Sequence, residues 1–228
     1  MKPINPPQSV MELTAAQIRD AIIQGELPLG SKVSEQMLAD RLQISRSPVR
    51  EALALLQIEG LVRVLPKRGT FVFSPDEKTI FDLCDHRAML ESACLALAME
   101  RNANALVGGL RQGMDRMQRA IAKNDSAAYA SADLNFHRAI IKNSDNLSMA
   151  KVYDTNFGPL MALRTYLFAT LNAHLDRSMA EHAALLEACE KNDLAGAQAI
   201  AITHIQHLAE HFRASSTKDE PQKLKLVH

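Results

Sequence analysis

The chain has 228 residues, 47% hydrophobic and 23% charged, which excludes a disordered or collagen-like polymer. Its 26 Lys and Arg balance 26 Asp and Glu, so any nucleic-acid surface must be a local patch. Aromatic residues make up only 4%, with no Trp, while Ala, Leu, Met, Gln and Glu abound; this disfavours a β-sandwich and favours helices.

No apolar run approaches the ~18 residues of a membrane span, and the Pro-rich start, residues 1–9, lacks the apolar core of a signal peptide. Cys84, Cys94 and Cys189 are odd in number and have no C-x-x-C spacing, so they read as reduced structural thiols of a cytoplasmic protein.

The first helix is expected over 11–24, with Ile18, Ala21 and Ile22 on one face and Gly25 ending it. Ser34 can cap a second helix, 34–42, that turns Leu38 and Leu42 inward. A third begins near Ser45–Ser47. Pro48 fits its first turn, where a missing N–H costs nothing. Val49, Ala52, Leu53 and Leu56 then form a buried stripe, and Gly60 terminates it. Leu61–Leu65 and Thr70–Phe73 read as a two-stranded hairpin with a basic tip, Pro66-Lys67-Arg68-Gly69. Three helices and a ribbon make the winged helix-turn-helix plan, whose third helix enters the DNA major groove.

Charge supports that plan. Residues 41–69 hold six basic side chains (Arg41, Arg46, Arg50, Arg63, Lys67, Arg68) against Glu51 and Glu59. Arg46, Ser47 and Arg50 lie at the start of the third helix, off its buried stripe, where such helices meet base edges. The plainer alternative is a solvated helix face with Arg–Glu51 pairs.

From about Ser74 to Ser215 the pattern is wholly helical. Six helices are expected, roughly 77–101, 103–123, 126–143, 146–170, 174–191 and 194–214, with Pro159 kinking the fourth. Short turns between long helices give an antiparallel bundle. The fold class is therefore mainly α: a winged helix (1–74), an all-α bundle of six or seven helices (75–215) and a flexible tail (216–228).

Within the bundle, Asp133 and His137 are i, i+4 on one helix face. His182 and His204 are each about 11 residues, or ~16 Å of helix, from the turn at 193, so they lie at one height of an antiparallel hairpin. One carboxylate and three imidazoles at one level would suit Zn²⁺, Ni²⁺, Mn²⁺ or a similar cation. Each histidine could instead be ordinary surface or core; His86, His174, His207, His211 and His228 are read that way, although His207 or His211 could line the same site. Arg87 is a candidate grip for an effector carboxylate, or a partner for Glu91 one turn on.

The residues Pro28-Leu29-Gly30, Ser45-Arg46-Ser47-Pro48-Val49-Arg50-Glu51-Ala52-Leu53, Glu59-Gly60-Leu61-Val62 and Lys67-Arg68-Gly69 resemble the GntR family of bacterial transcription regulators. The resemblance implies that the helix around Ser45–Arg50 reads the major groove and that Arg68-Gly69 at the wing tip reaches the minor groove. Gln36 stands where several relatives carry a basic residue, which implies a weaker phosphate contact. Arg87-(x3)-Glu91, Asp133-(x3)-His137, Glu181-His182 with Leu185, and Asp193-(x3)-Ala197 with His204 resemble the ligand domain, called FCD, of the FadR-type branch. That likeness implies a divalent cation on Asp133, His137, His182 and His204, zinc first among the choices, holding a small carboxylate effector and arguing against an acyl-CoA ligand. It also implies a homodimeric regulator, a repressor, on a palindromic operator. The alternatives are a metal-sensing regulator, a helical metalloenzyme, and a metal that only staples the bundle.

Overall fold

The computed structural model describes residues 9–155, 157–170 and 175–216; the expected tail, His174 and His228 lie outside them, as does the side chain of His211. Contacts divide the chain into two compact units, with the break between Ser74 and Pro75.

In the first unit, α1 (Val10–Ile23) starts with a reciprocal cap. Glu12 N–H donates to the Ser9 hydroxyl, and the Ser9 N–H donates to the Glu12 carboxylate. Helix α2 (Glu35–Leu42) is capped by Ser34, and α3 (Arg46–Ile58) follows a three-residue connection, Gln43-Ile44-Ser45, in which Gln43 adopts a left-handed φ of 54°. Val49, Ala52, Leu53 and Leu56 of α3 are buried, as their spacing requires, beside Ile18 and Ile22 of α1. Gly60, at φ 73°, reverses the chain into β2 (Val62–Leu65), which pairs antiparallel with β3 (Gly69–Val72). The sheet is three-stranded, not two. The short β1 (Lys32–Val33) adds to the free edge of β3, giving the order β1-β3-β2. That third strand is part of the platform a bare ribbon lacks.

In the second unit, α4 (Glu77–Ala122) is continuous except at Asn102, whose φ −142° and ψ 41° leave the helical region. The break is held from α5: Asn102 Nδ2 donates to the Asn143 carbonyl at 2.9 Å and Arg101 to that of Ser144 at 3.0 Å. Helix α5 spans Ser126–Asn143, α6 Leu147–Thr155, α7 Phe157–Thr170, α8 Leu175–Glu190 and α9 Leu194–Ser216. The expected single helix over 146–170 is thus two, α6 and α7. Pro159 does not kink a continuous helix; it occupies the third position of α7, a first-turn site where its missing N–H removes no intrahelical bond. Asn124, Asp145 and Asn192 take left-handed φ of 51°, 51° and 56° at the turns, a conformation Asn and Asp tolerate. Helix α4 packs along α5 and α9, and α8 pairs with α9. The three cysteines are free and buried, and burial pushes the Cys189 thiol up to about 11. Among the described residues no helix is long and apolar enough to cross a membrane.

Candidate functional site

The N-terminal end of α3 is exposed and differs from the starts of α1, α2, α4 and α5. Ser9, Ser34, Asp76 and Asp125 each cap their helices with a side-chain oxygen, whereas Ser45 makes no such bond. Its hydroxyl and the first α3 amides are left for another partner. Arg46 and Arg50 project from this end, with side chains 56% and 67% exposed. Their pairing is not with Glu51. Both reach Glu35, the first residue of α2: Arg46 Nη2 at 2.9 Å, Arg50 Nε at 3.0 Å and Nη2 at 3.2 Å. Hydrogen bonds from Arg50 and then Arg46 hold the Glu35 carboxyl below its ordinary value. Ser47 sits 3.4 Å from Glu51, and Gln36 donates to Asp40 at 2.8 Å. At the wing, Lys67 has φ 62° and follows Pro66, a type II turn signature, and Arg68 is exposed. Gly69 adopts φ 113°, which strains any other residue; a Cβ there would stand 2.9 Å from Lys32 Cε, the flexible end of a side chain that can swing aside. Lys32, on the strand that sequence reading missed, therefore adds a cation beside the wing tip.

The second cluster is buried. Asp133, His137, His182 and His204 each offer a ligand atom, and all four atoms lie within 4.8 Å of one another. The first three residues are 0% exposed and His204 is 6%. Each of α4 to α9 reaches this region: α5 gives Asp133 and His137, α8 His182, α9 His204, while α4 adds Glu91, α6 Tyr153 and α7 Arg164. His137 Nδ1 donates to Glu91 Oε2 at 2.7 Å, so its Nε2 carries a bare lone pair. Likewise His204 Nδ1 lies 2.7 Å from Glu181 Oε2. His182 Nε2 stands 3.2 Å from His137 Nε2 and 3.3 Å from Asp133 Oδ1, while its Nδ1 has no hydrogen-bond partner. Donor atoms around a tetrahedral ion at ~2.1 Å stand about 3.4 Å apart, so these separations fit a divalent cation.

Burial, reinforced by neighbouring cationic side chains, holds His137 and His182 well below the ordinary imidazole value. It also lowers His204, against the opposing hydrogen bond from Glu181. Burial is the largest single influence on Glu181 and would raise it, but His204, Arg177 and His207 together overcome it and bring the carboxyl down to about 2. The lowered values favour neutral imidazoles, the form in which histidine ligates, and Glu91 and Glu181 orient two of them, His137 and His204.

Arg87 is fully buried, and its Nε donates to Glu91 Oε1 at 2.6 Å, the pairing within its own helix. Its Nη1 and Nη2 have no hydrogen-bond partner. Sequence reading anticipated the Arg87–Glu91 pair but missed Arg164, which pairs with Asp133 Oδ2 from α7, the bond of Glu91 to His137 and that of Glu181 to His204. The Glu181–His182 adjacency was the only signal for the last. His207 does not join the tetrad; its Nδ1 lies 2.8 Å from Glu181 Oε1, nearer the rim.

Residues 12–72 match the description "Bacterial regulatory proteins, gntR family", and residues 82–207 match "FCD domain". The chain belongs to the GntR family, in its FCD-bearing branch. A gluconate operon transcriptional repressor of Bacillus licheniformis is 26% identical over 214 residues, covering 94% of this chain and 79% of that protein. The Uxu operon transcriptional regulator of Escherichia coli (strain K12) is 26% identical over 241 residues, covering 96% and 93%. In fold the chain is similar to a GntR regulator of Rhodococcus sp. RHA1, with TM-score 0.79 and 21% identity over 90% of this chain and 98% of that one. It is equally similar to E. coli McbR/YncC, with TM-score 0.78 and 21% identity over 92% and 100%. As a GntR-family member the protein is a DNA-binding transcriptional regulator and not an enzyme.

Proposed function

We propose that this GntR regulator is an effector-controlled repressor. Residues 1–74 bind the operator, residues 75–215 hold a divalent cation and a small carboxylate effector, and two copies pair so that their symmetry matches a palindromic site. The observation that carries the reading is the buried tetrad: Asp133 and three neutral histidines within 4.8 Å, two of them oriented by Glu91 and Glu181. Without an ion, the Nε2–H tautomer of neutral His182 would donate to His137 Nε2 across their 3.2 Å; with the other tautomer both Nε2 lone pairs converge on one point, the place for a cation. Zinc suits this nitrogen-rich set, with nickel and manganese as competitors. When bound, such an ion supplies positive charge and open positions to an anionic chelating ligand. Arg46, Arg50, Ser45 and Ser47 read the major groove; Arg68 and Gly69 enter the minor groove; Gln36 serves the phosphates. A relative named for a gluconate operon supports a small acid as effector.

Effector and operator then favour different placements of the DNA-binding units, and the coupling is reciprocal. The test combines elemental analysis of purified protein, calorimetric titration of zinc and then of lactate or gluconate, and operator gel shifts with and without chelator. The expected result is one metal per chain, acid binding that chelator abolishes, and an operator shift that responds to the acid. Acid binding indifferent to chelator removes the metal from the scheme; a shift that answers to zinc alone makes the cation the signal.

A further inference from the structure

The buried cluster contains more fixed charge than a metal site needs. Arg87 and Arg164 are 0% and 2% exposed, and Glu91 and Asp133 are both 0%. As it stands, the two guanidinium ions answer the two carboxylates, Arg87 to Glu91 and Arg164 to Asp133. The histidines contribute nothing, since ligation requires them neutral. Tyr129 and Tyr153 cannot supply negative charge either; burial raises both phenols above their ordinary value. At the rim, the Glu181 carboxylate is matched by Arg177, whose Nε lies 2.9 Å away. A divalent ion on Asp133 therefore leaves two uncompensated positive charges among residues closed to water. Uncompensated buried charge costs several kcal/mol, so a ligand that cancels both is favoured over one that cancels half.

The place for the second negative charge is also marked. Arg87 Nε is taken by Glu91, but its fork of terminal nitrogens, Nη1 and Nη2, is buried with no hydrogen-bond partner. Terminal nitrogens of this kind bind a carboxylate or phosphate bidentately. Glu91 bridges Arg87, through Oε1, to the tetrad's His137, through Oε2. The Glu91 carboxylate and the His137 ring thus stand between the Arg87 guanidinium and the Nε2 that faces the tetrad, and a short molecule with an acid at each end would answer both anion-seeking centres.

Resting on the effector reading above, we propose that the effector is a short acid with two anionic groups: a 2-hydroxy- or 2-keto-acid head for the metal and a second carboxylate or phosphate for Arg87. The experiment compares L-malate with L-lactate, and 3-phosphoglycerate with glycerate, by calorimetry on the zinc-loaded full chain. Each pair shares its 2-hydroxy-acid head and differs in the second anionic group. At least one of malate and 3-phosphoglycerate is expected to bind at least about tenfold more tightly than its partner. The variant Arg87→Gln is expected to bring that ratio close to one. Should Arg87→Gln fail to fold, the wild-type ratio and Arg87→Lys, which keeps the charge but loses the planar fork, carry the same test. Zinc-dependent lactate binding with no gain for malate or 3-phosphoglycerate overturns this inference and leaves the effector reading standing. Absence of binding by all four acids overturns both. An advantage for phosphoglycerate alone identifies the second group as a phosphate; an advantage for malate alone identifies it as a carboxylate.

Discussion

Each unit of this regulator arranges two arginines around acidic side chains, with opposite physical consequences. In the winged unit Arg46 and Arg50 share Glu35 at the surface, their side chains 56% and 67% exposed. Water and salt screen those pairs, so they contribute little to stability and can be exchanged for DNA phosphates or bases. In the helical unit Arg87 and Arg164 sit against Glu91 and Asp133 with side chains at most 3% exposed. There an ion pair is part of the fold, and removing either partner leaves a stranded charge. Exposure decides which set of arginines is exchangeable and which is fixed.

The largest expected effect separates the two sets. Arg164→Ala should lower the stability of the helical unit by about 3–5 kcal/mol, because Asp133 loses its cation while remaining buried. Urea unfolding measures it, and bound zinc should restore part of the loss by pairing with Asp133. Arg50→Ala should leave the unfolding midpoint unchanged and cost operator affinity by about 1–3 kcal/mol, read by fluorescence anisotropy on labelled operator. If Arg164→Ala proves as silent in urea as Arg50→Ala, the contrast between fixed and exchangeable pairs is wrong.

These two sets were unequally legible in the sequence. Arg46 and Arg50 could be placed because the α3 stripe of Val49, Ala52, Leu53 and Leu56 fixes which face is outside. The tetrad could be placed because i, i+4 spacing and a turn equidistant from His182 and His204 fix height. Arg164 could not. Leu160 through Thr165 of α7 are buried without a break, so no apolar period tells which way the arginine faces. Strand β1 is two residues long, too short for a pattern, and with it went Lys32. Glu35 was hidden because its role depends on how α2 crosses α3, which neither helix encodes alone.

Acid should act on the two units unequally. The folded-state pKa values of His137, His182 and His204 lie below those of the unfolded chain. Below pH ~6.5 the unfolded chain therefore binds protons that the native one refuses, and stability falls as pH falls. The slope is at most about 1.4 kcal/mol per pH unit for each imidazole. Glu181, down to about 2 in the fold, adds a loss of the same sign once pH passes below ~4.5. Residues 10–74 contain no histidine, so the winged unit has no counterpart to the first of these losses. Thermal scans from pH 7.5 to 5.5 with zinc chelated should show the helical transition moving down. Saturating zinc should hold it, because a metallated imidazole cannot take up a proton. A transition that does not move in chelator would mean the imidazoles are hydrated rather than buried.

The smallest effect tests the surface set most sharply. Glu35 accepts from both α3 arginines, so it either competes with DNA for them or aims them at it. Glu35→Gln keeps the shape of the side chain and removes its charge. Stability should change by no more than about 0.5 kcal/mol, since the pairs are exposed. Competition predicts that affinity for random-sequence duplex rises by less than about tenfold, with a steeper salt dependence, because one repelling carboxylate is gone. Aiming predicts the reverse for specificity: the operator gains less than random duplex, because freed arginines sample orientations unsuited to guanine O6 and N7. Both follow from one series of anisotropy titrations on operator and random duplex across salt concentrations. If operator and random DNA gain equally, Glu35 only competes. If their ratio narrows, the carboxylate also positions the reading head. If neither changes, the pairs to Glu35 are too weak in solution to influence DNA binding.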